Sequence, residues 1–477
     1  MIGVRDFLES AARSAAGHLD GLGAEPVWRP TPAALREALA EQALPQSGID
    51  PAALLAEIEE RVLAYPMGNG HPAFFGWVNA APHPAGIAGA LLAAAVNPSS
   101  AGGDHADVYL ERAVVRWIAE LVGFPHEPGA GLLTSGASMA TIVAVGAARQ
   151  RALAGAGWDV RERGLSGAPR LTAYATAEVH SCVGKAIELL GVGKANLRTV
   201  ADDGAGHLDS AALRAAIAAD RELGALPFLV VGSAGTVTTG AVDPLREIAQ
   251  VCAQESGIWF HVDGAYGAFG VLDPAITGRY AGMELADSVA LDPHKWLQVP
   301  AGVGCLLVRD RVQLRETFSL VPPYLRDESG DPLGWYSEYG IEQTRPFRAL
   351  SVWAALAARG RTGVASDVVA CTSAARLLDE LVAKDEDFEL AAETEVSIVA
   401  FRYSPAGLDE AEADRITRGL AAAIQARGRV FVTDSLYRGR PLLRACLINP
   451  AVGEAEVRLL LDEARAAAQC PPPAPSP

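Results

Sequence analysis

Residues 257–267 read GIWFHVDGAYG, and residues 288–308 read SVALDPHKWLQVPAGVGCLLV. Each opens as a short apolar run of the kind that forms a buried strand. The first run ends at Asp263, followed by small residues that let a flat ligand approach the backbone. The second ends in Asp292-Pro293-His294-Lys295-Trp296, and another apolar run begins almost at once. In a parallel sheet, ligands bind at the carboxyl ends of the strands. Asp263 and Lys295 therefore fall on the ligand edge of two successive strands. Each alone has an ordinary explanation, as a turn aspartate or a solvated lysine. Flanked by Pro, His and Trp, Lys295 is expected to be a desolvated amine, and desolvation suits a Schiff-base former.

The same alternation extends outward. Helices are predicted at 85–96, 107–122, 138–154, 180–190, 209–219 and 243–256, and strands at 131–134, 171–175, 197–200, 227–232, 258–262, 286–291 and 303–308. Short apolar strands alternating with longer helices mark a mostly parallel sheet in an α/β fold. Beyond residue 350 the order changes. Helices at 348–359, 365–383, 408–426 and 453–468 enclose strand-like runs at 395–402, 428–432 and 442–448. This reads as a small α+β domain. The expected organisation is a helical segment at 1–84, a large α/β domain at 85–350, a small domain at 351–468 and a disordered tail at 469–477.

Two further strand ends carry polar chemistry. Leu132–Thr134 runs through Ser135, Gly136, Ala137 and Ser138 into a helix. Free amides and the helix dipole make such a start an anion site. Neither a dinucleotide fingerprint nor a P-loop is present. His180 follows the strand at 171–175 and opens a helix. An anion cradle, a lysine, an aspartate and a histidine on one sheet edge suit pyridoxal 5'-phosphate. The lysine forms a Schiff base, the aspartate keeps the ring nitrogen protonated, and the histidine stacks on the ring.

Composition narrows the partners. The 477 residues carry 40 basic and 57 acidic side chains, a net charge of −17. That balance opposes a chain-wide nucleic-acid footprint or attachment to an anionic membrane. The six cysteines are scattered, with no CxxC pair and no zinc spacing, so reduced thiols and no metal are expected. The N-terminus lacks a signal-peptide core, and the apolar run at 85–96 is short of the ~20 residues that span a bilayer. A cytoplasmic location is expected.

Beyond these local readings, the chain resembles the group II pyridoxal-dependent decarboxylases from about His71 to Leu350. HPAFFGWV, TSGASMAT, the His180-Ser181 pair, GTVTTGAVDPL, FHVDGAYG and DPHKW occur in the family's order. The resemblance implies an aspartate-aminotransferase-type fold, the type I fold of pyridoxal-phosphate-dependent transferases, with a mostly parallel seven-stranded sheet. It also implies a homodimer with its site at the interface, the N-terminal helices packing on the partner subunit. It makes Lys295 the Schiff-base lysine, pairs Asp263 with the ring nitrogen, and puts Ala265 and His180 on opposite ring faces. Gly136, Ala137 and Ser138 would surround the phosphate, with His294 nearby, and Thr236 would lie by the cofactor. Tyr324, on a loop at 318–340, would return a proton to the substrate carbon, and Trp77 and Val78 would line the substrate pocket.

The implied reaction is decarboxylation of an L-amino acid to an amine and CO₂. Phe74, Phe75 and Trp77 point to an aromatic substrate, unless they pack the N-terminal segment onto the core. Between Arg61 and Arg112 there is no basic residue except histidine, which counts against acidic substrates unless an arginine arrives from elsewhere. Decarboxylation with oxidative deamination to an aldehyde, C–C or C–S lyase chemistry, and a diaminobutyrate- or glutamate-type decarboxylase share the same cofactor residues. A non-catalytic cofactor-binding assembly partner is the remaining alternative. Several positions depart from the family pattern. They are Gly264 after the aspartate, Met139, Val237, the stretch 99–111, Val78-Asn79, and Asp292 where several members carry Asn. Gly264 is expected to be harmless, and an acid at 292 to weaken cofactor binding.

Overall fold

The computed structural model describes residues 3–125, 130–320 and 331–469. The chain divides into two units: Met1–Ala81 with Leu377–Ala391 and Ala400–Pro477, and Pro82–Arg376 with Ala392–Val399. The first unit starts with three helices, α1 (Val4–Asp20), α2 (Ala33–Ala40) and α3 (Pro51–Ile58). Asp50 caps α3 by accepting the amides of Ala52 and Ala53, with Pro51 in the first turn, as its sequence predicts. No residue of these three helices is buried.

The second unit holds α4 (Pro84–Val96), α5 (Ala106–Val122), α6 (Ala137–Gly155), α7 (Val160–Arg163), α8 (Ser181–Leu189), α9 (Ser210–Glu222), α10 (Leu245–Gln254), α11 (Arg311–Phe318) and most of α12 (Arg348–Lys384). Its strands are β1 (Gly131–Thr134), β2 (Leu171–Ala175), β3 (Leu197–Thr199), β4 (Leu226–Ser233), β5 (Trp259–Asp263), β6 (Ser288–Leu291) and β7 (Gly304–Val308). They form one seven-stranded sheet in the order β1-β7-β6-β5-β4-β2-β3. All pairings are parallel except those of β7, which is antiparallel to both β1 and β6. β1, β2, β4, β5 and β6 therefore all end on one edge. β1, β2, β5, β6 and β7 are buried along their whole length, which explains their apolar runs. α6 packs across β1 and β4–β7, and α9 and α10 pack on β4. The helix break expected after residue 359 is a kink in α12 at Gly360, at φ 62°.

In the first unit, β8 (Phe388–Leu390), most of β9 (Ile398–Tyr403), β10 (Thr433–Tyr437) and β11 (Arg440–Cys446) form a sheet in the order β10-β11-β9-β8. Helices α13 (Glu410–Arg427) and α14 (Glu454–Gln469) pack on each other, and α13 packs on β10 and β11. The strand expected at 428–432 lies instead at 433–437. The apolar residues Val430–Val432 are buried, but Phe431 bonds through its backbone to Ala73 and Phe75, outside any ladder. Among the described residues, no helix is long and apolar enough to cross a membrane.

Candidate active site

At the end of β6 the chain turns tightly. The Lys295 amide donates to the Asp292 carbonyl, and that of Gln298 to Lys295. Trp296 anchors the turn. It is 2% exposed, and its indole N–H donates to the Tyr266 carbonyl. This fixes Lys295 at the strand end with its side chain 17% exposed. The sequence suggested an amine in apolar surroundings. In the structure Lys295 Nζ lies 2.9 Å from Asp292 Oδ2, so the amine is met by a carboxylate. The other oxygen, Asp292 Oδ1, accepts the Ala137 amide at 2.7 Å. His294 Nδ1 lies 3.5 Å from the same carboxylate and 2.7 Å from the Val303 carbonyl, to which it donates. Asp292 thus ties the α6 N-terminus to the lysine turn.

The chain after β1 is shaped to reach this point. Gly136 has φ 142°, a conformation that side-chain-bearing residues rarely adopt. It sits against β7 so closely that a Cβ on Gly304 would lie 2.5 Å from Gly136 Cα. Ala137 is buried, and Ser138 is exposed on the first turn of α6. β1 is an edge strand, and its outward groups need partners from elsewhere. Glu111 Oε1 accepts the Leu133 amide, and Arg345 Nη2 donates to the Leu133 carbonyl. Arg345 and Glu111 are each 1% exposed and pair at 2.6 Å. Nothing local in the sequence announced this pair, because its members are 234 residues apart.

Asp263 ends β5, beside Ala290 of β6, and is 6% exposed. Its Oδ1 accepts the Ala265 amide at 3.2 Å, and its Oδ2 receives the Cys182 thiol at 4.0 Å. Among the described residues, no basic side chain pairs with it. His180 caps α8, its Nδ1 accepting the Cys182 amide, which leaves the proton on Nε2. Donor atoms of His180, Cys182 and Asp263 lie within 4.8 Å of one another. Burial, then the Asp263 charge, pushes the Cys182 thiol up to about 12, so it stays a neutral donor and a poor metal ligand. The thiol also feels Lys295 and Asp292, which places it among the site charges. Sequence reasoning overlooked Cys182. Its only signal was adjacency to the His180-Ser181 pair.

Gly264 has a steric reason. A Cβ there would lie 2.6 Å from Ala268 Cβ and 3.2 Å from the Ala290 carbonyl oxygen. Thr236 is 1% exposed in the turn after β4, where its hydroxyl accepts the Ala241 amide and lies 3.0 Å from that of Thr239. Behind that turn, Asp243 accepts the amides of Leu208 and Ser233, and burial raises its carboxyl to about 6.

Trp77 and Val78 belong to the first unit. Phe74 and Phe75 are buried there, and Phe74 stacks on Phe431 with centroids 4.8 Å apart. Trp77 remains 48% exposed at φ 48°, its carbonyl held by Arg444 Nη1 at 2.8 Å. Tyr324 lies outside the described residues.

This donor set fits pyridoxal phosphate. A buried carboxylate without a cationic partner suits a protonated ring nitrogen. Just past the end of the adjacent strand stands an amine that suits the aldehyde, and a helix N-terminus beside it suits a phosphate.

The pyridoxal-dependent decarboxylase conserved domain matches residues 32–404. The aromatic-L-amino-acid decarboxylase of Bacillus atrophaeus is 29% identical, over 95% of this chain and 92% of its own. The acidic amino acid decarboxylase GADL1 of Mus musculus is 32% identical, over 86% and 76% respectively. The structure of Oryza sativa TDC with PLP and tryptamine superposes with a TM-score of 0.90 and 26% identity, covering 98% of this chain and 97% of that one.

Proposed function

Since the chain belongs to the pyridoxal-dependent decarboxylases, carboxy-lyases that act on amino acids with pyridoxal 5'-phosphate, we propose that it converts an aromatic L-amino acid to its amine and CO₂ at Lys295. The observation that carries the site is the pair of strand ends. Asp263 ends β5, Lys295 lies on the turn that follows the adjacent parallel strand β6, and the α6 N-terminus is tied to that turn through Asp292.

When bound, the cofactor supplies an electron sink for the bond to the departing carboxylate. Lys295 would hold it through its side-chain amine. Asp263 keeps a proton on the ring nitrogen, and the neutral Cys182 thiol steadies that carboxylate. His180 and Ala265 would take the two faces of the ring. Gly136, Ala137 and Ser138 would surround the phosphate with His294 nearby, and Thr236 would lie by the cofactor. Tyr324 returns a proton to the carbon that lost the carboxylate, which favours amine over aldehyde.

The aromatic preference rests on Trp77. It is held in an uncommon backbone conformation by Arg444 and left half-exposed while its aromatic neighbours are buried. The only lysines or arginines near 71–84 in sequence are Arg61 and Arg112, and Arg444 is engaged with the Trp77 carbonyl. The exposed apolar residues of α1–α3, including Val4, Leu8, Leu39, Leu54 and Ile58, pack on a partner subunit in a homodimer.

Spectral titration with proteinogenic, aromatic and diamino acids, with products read by mass, tests this reading. An aromatic acid giving amine and CO₂ is expected. Glutamate or diaminobutyrate turned over at least about tenfold more efficiently, a 1.4 kcal/mol transition-state preference, contradicts the aromatic assignment. Aldehyde with peroxide as main product contradicts simple decarboxylation.

A further inference from the structure

Asp292 puts a third charge where the proposed cofactor contacts converge. Its carboxylate is 5% exposed and uses both oxygens: Oδ1 on the Ala137 amide at 2.7 Å, Oδ2 on Lys295 Nζ at 2.9 Å. The amide belongs to the N-terminus of a 19-residue helix, a favourable place for an anion. The amine is the one the aldehyde would take. The side chain has little freedom to leave, because its own carbonyl closes the lysine turn and Pro293 stiffens the next residue.

We propose that Asp292 is a built-in competitor of the cofactor phosphate and so sets how readily the enzyme loads and releases its cofactor. A phosphate drawn to the start of α6 meets an amide already engaged and a like charge beside it. An aldehyde drawn to Lys295 meets an amine already paired. At the phosphate and at the aldehyde, the contact the cofactor gains displaces one that Asp292 makes. The protein therefore holds its site assembled through Asp292 and exchanges cofactor faster than the same fold with a neutral side chain at 292. The inference rests on the reading that the phosphate lies at the start of α6.

The test compares wild-type protein with Asp292→Asn. It measures dissociation constants and release rates for pyridoxal 5'-phosphate and for pyridoxal, and thermal stabilisation by inorganic phosphate. Asparagine keeps an oxygen for the Ala137 amide and removes the charge. The phosphorylated cofactor should bind the variant at least about tenfold tighter and leave more slowly. Pyridoxal should change far less, and inorganic phosphate should stabilise the variant more than the wild type. If the variant binds pyridoxal phosphate no tighter while the wild type still prefers it to pyridoxal, Asp292 is not a competitor. If wild type and variant both bind pyridoxal and pyridoxal phosphate alike, the phosphate site itself is misplaced. Should Asp292→Asn fail to fold, Asp292→Ser removes the same charge, and the same comparison decides.

Discussion

Asp263 is surrounded by a thiol and a backbone amide, with no basic side chain paired to it among the described residues. Such a carboxylate gains most from a cationic ligand atom. Asp263→Asn should therefore lower kcat by at least about 10²-fold, the scale of a lost positioned acid, while the cofactor stays bound. Steady-state kinetics beside an absorbance spectrum check this, and near-normal kcat would remove Asp263 from its role. At this scale the sequence was informative. The placement of Lys295, Asp263 and His180 on one sheet edge was legible because each lies at, or within five residues of, the end of an apolar strand. Asp292 was legible as a departure, but its double engagement was not. That contact depends on Ala137, 155 positions earlier, and only the folded sheet brings the two together.

β1 shows why elements near a site need remote support. Its outer edge is closed by Glu111 and Arg345 in place of a strand. Arg345→Ala leaves Glu111 buried without its partner and the Leu133 carbonyl without its donor. Breaking such a pair costs about 3–5 kcal/mol, and a denaturant midpoint shift should show it. A second clamp joins the segment before β9 to the turns after β3. His207 Nε2 lies 2.5 Å from buried Glu395, and Nδ1 lies 2.9 Å from Asp203. The Glu395 hydrogen bond chiefly raises His207 from 6.5 to about 9. Its proton is thus held more tightly in the folded chain, so the stabilisation is complete below pH 6.5 and fades as pH rises through 9. Tm should fall across that interval, and His207→Gln should flatten the fall. An unchanged slope would contradict the assignment. Most strands of the large sheet were legible because burial on both faces leaves continuous apolar runs; β3, Leu197–Thr199, is the part-exposed exception. α11 and β8 were not. α11 buries only Leu314, and β8 is three residues long with an exposed Glu389 at its centre, so neither leaves a periodic pattern.

At the scale of the molecule, the proposed homodimer would cover the three unburied N-terminal helices. The particle in solution should have twice the 49.7 kDa chain mass at micromolar concentration. Deleting residues 1–64 should lower that mass and abolish turnover together, and a monomeric full-length chain would refute the shared site. The central claim, that chemistry happens on one lysine at the end of β6, has a more direct test. The chain contains four lysines, Lys185, Lys194, Lys295 and Lys384, each separable by proteolysis and mass. Borohydride reduction of the cofactor-loaded protein, followed by peptide mapping, should place the pyridoxyl group on Lys295 alone, and Lys295→Ala should abolish it. A reduced adduct on any of the other three would contradict the account.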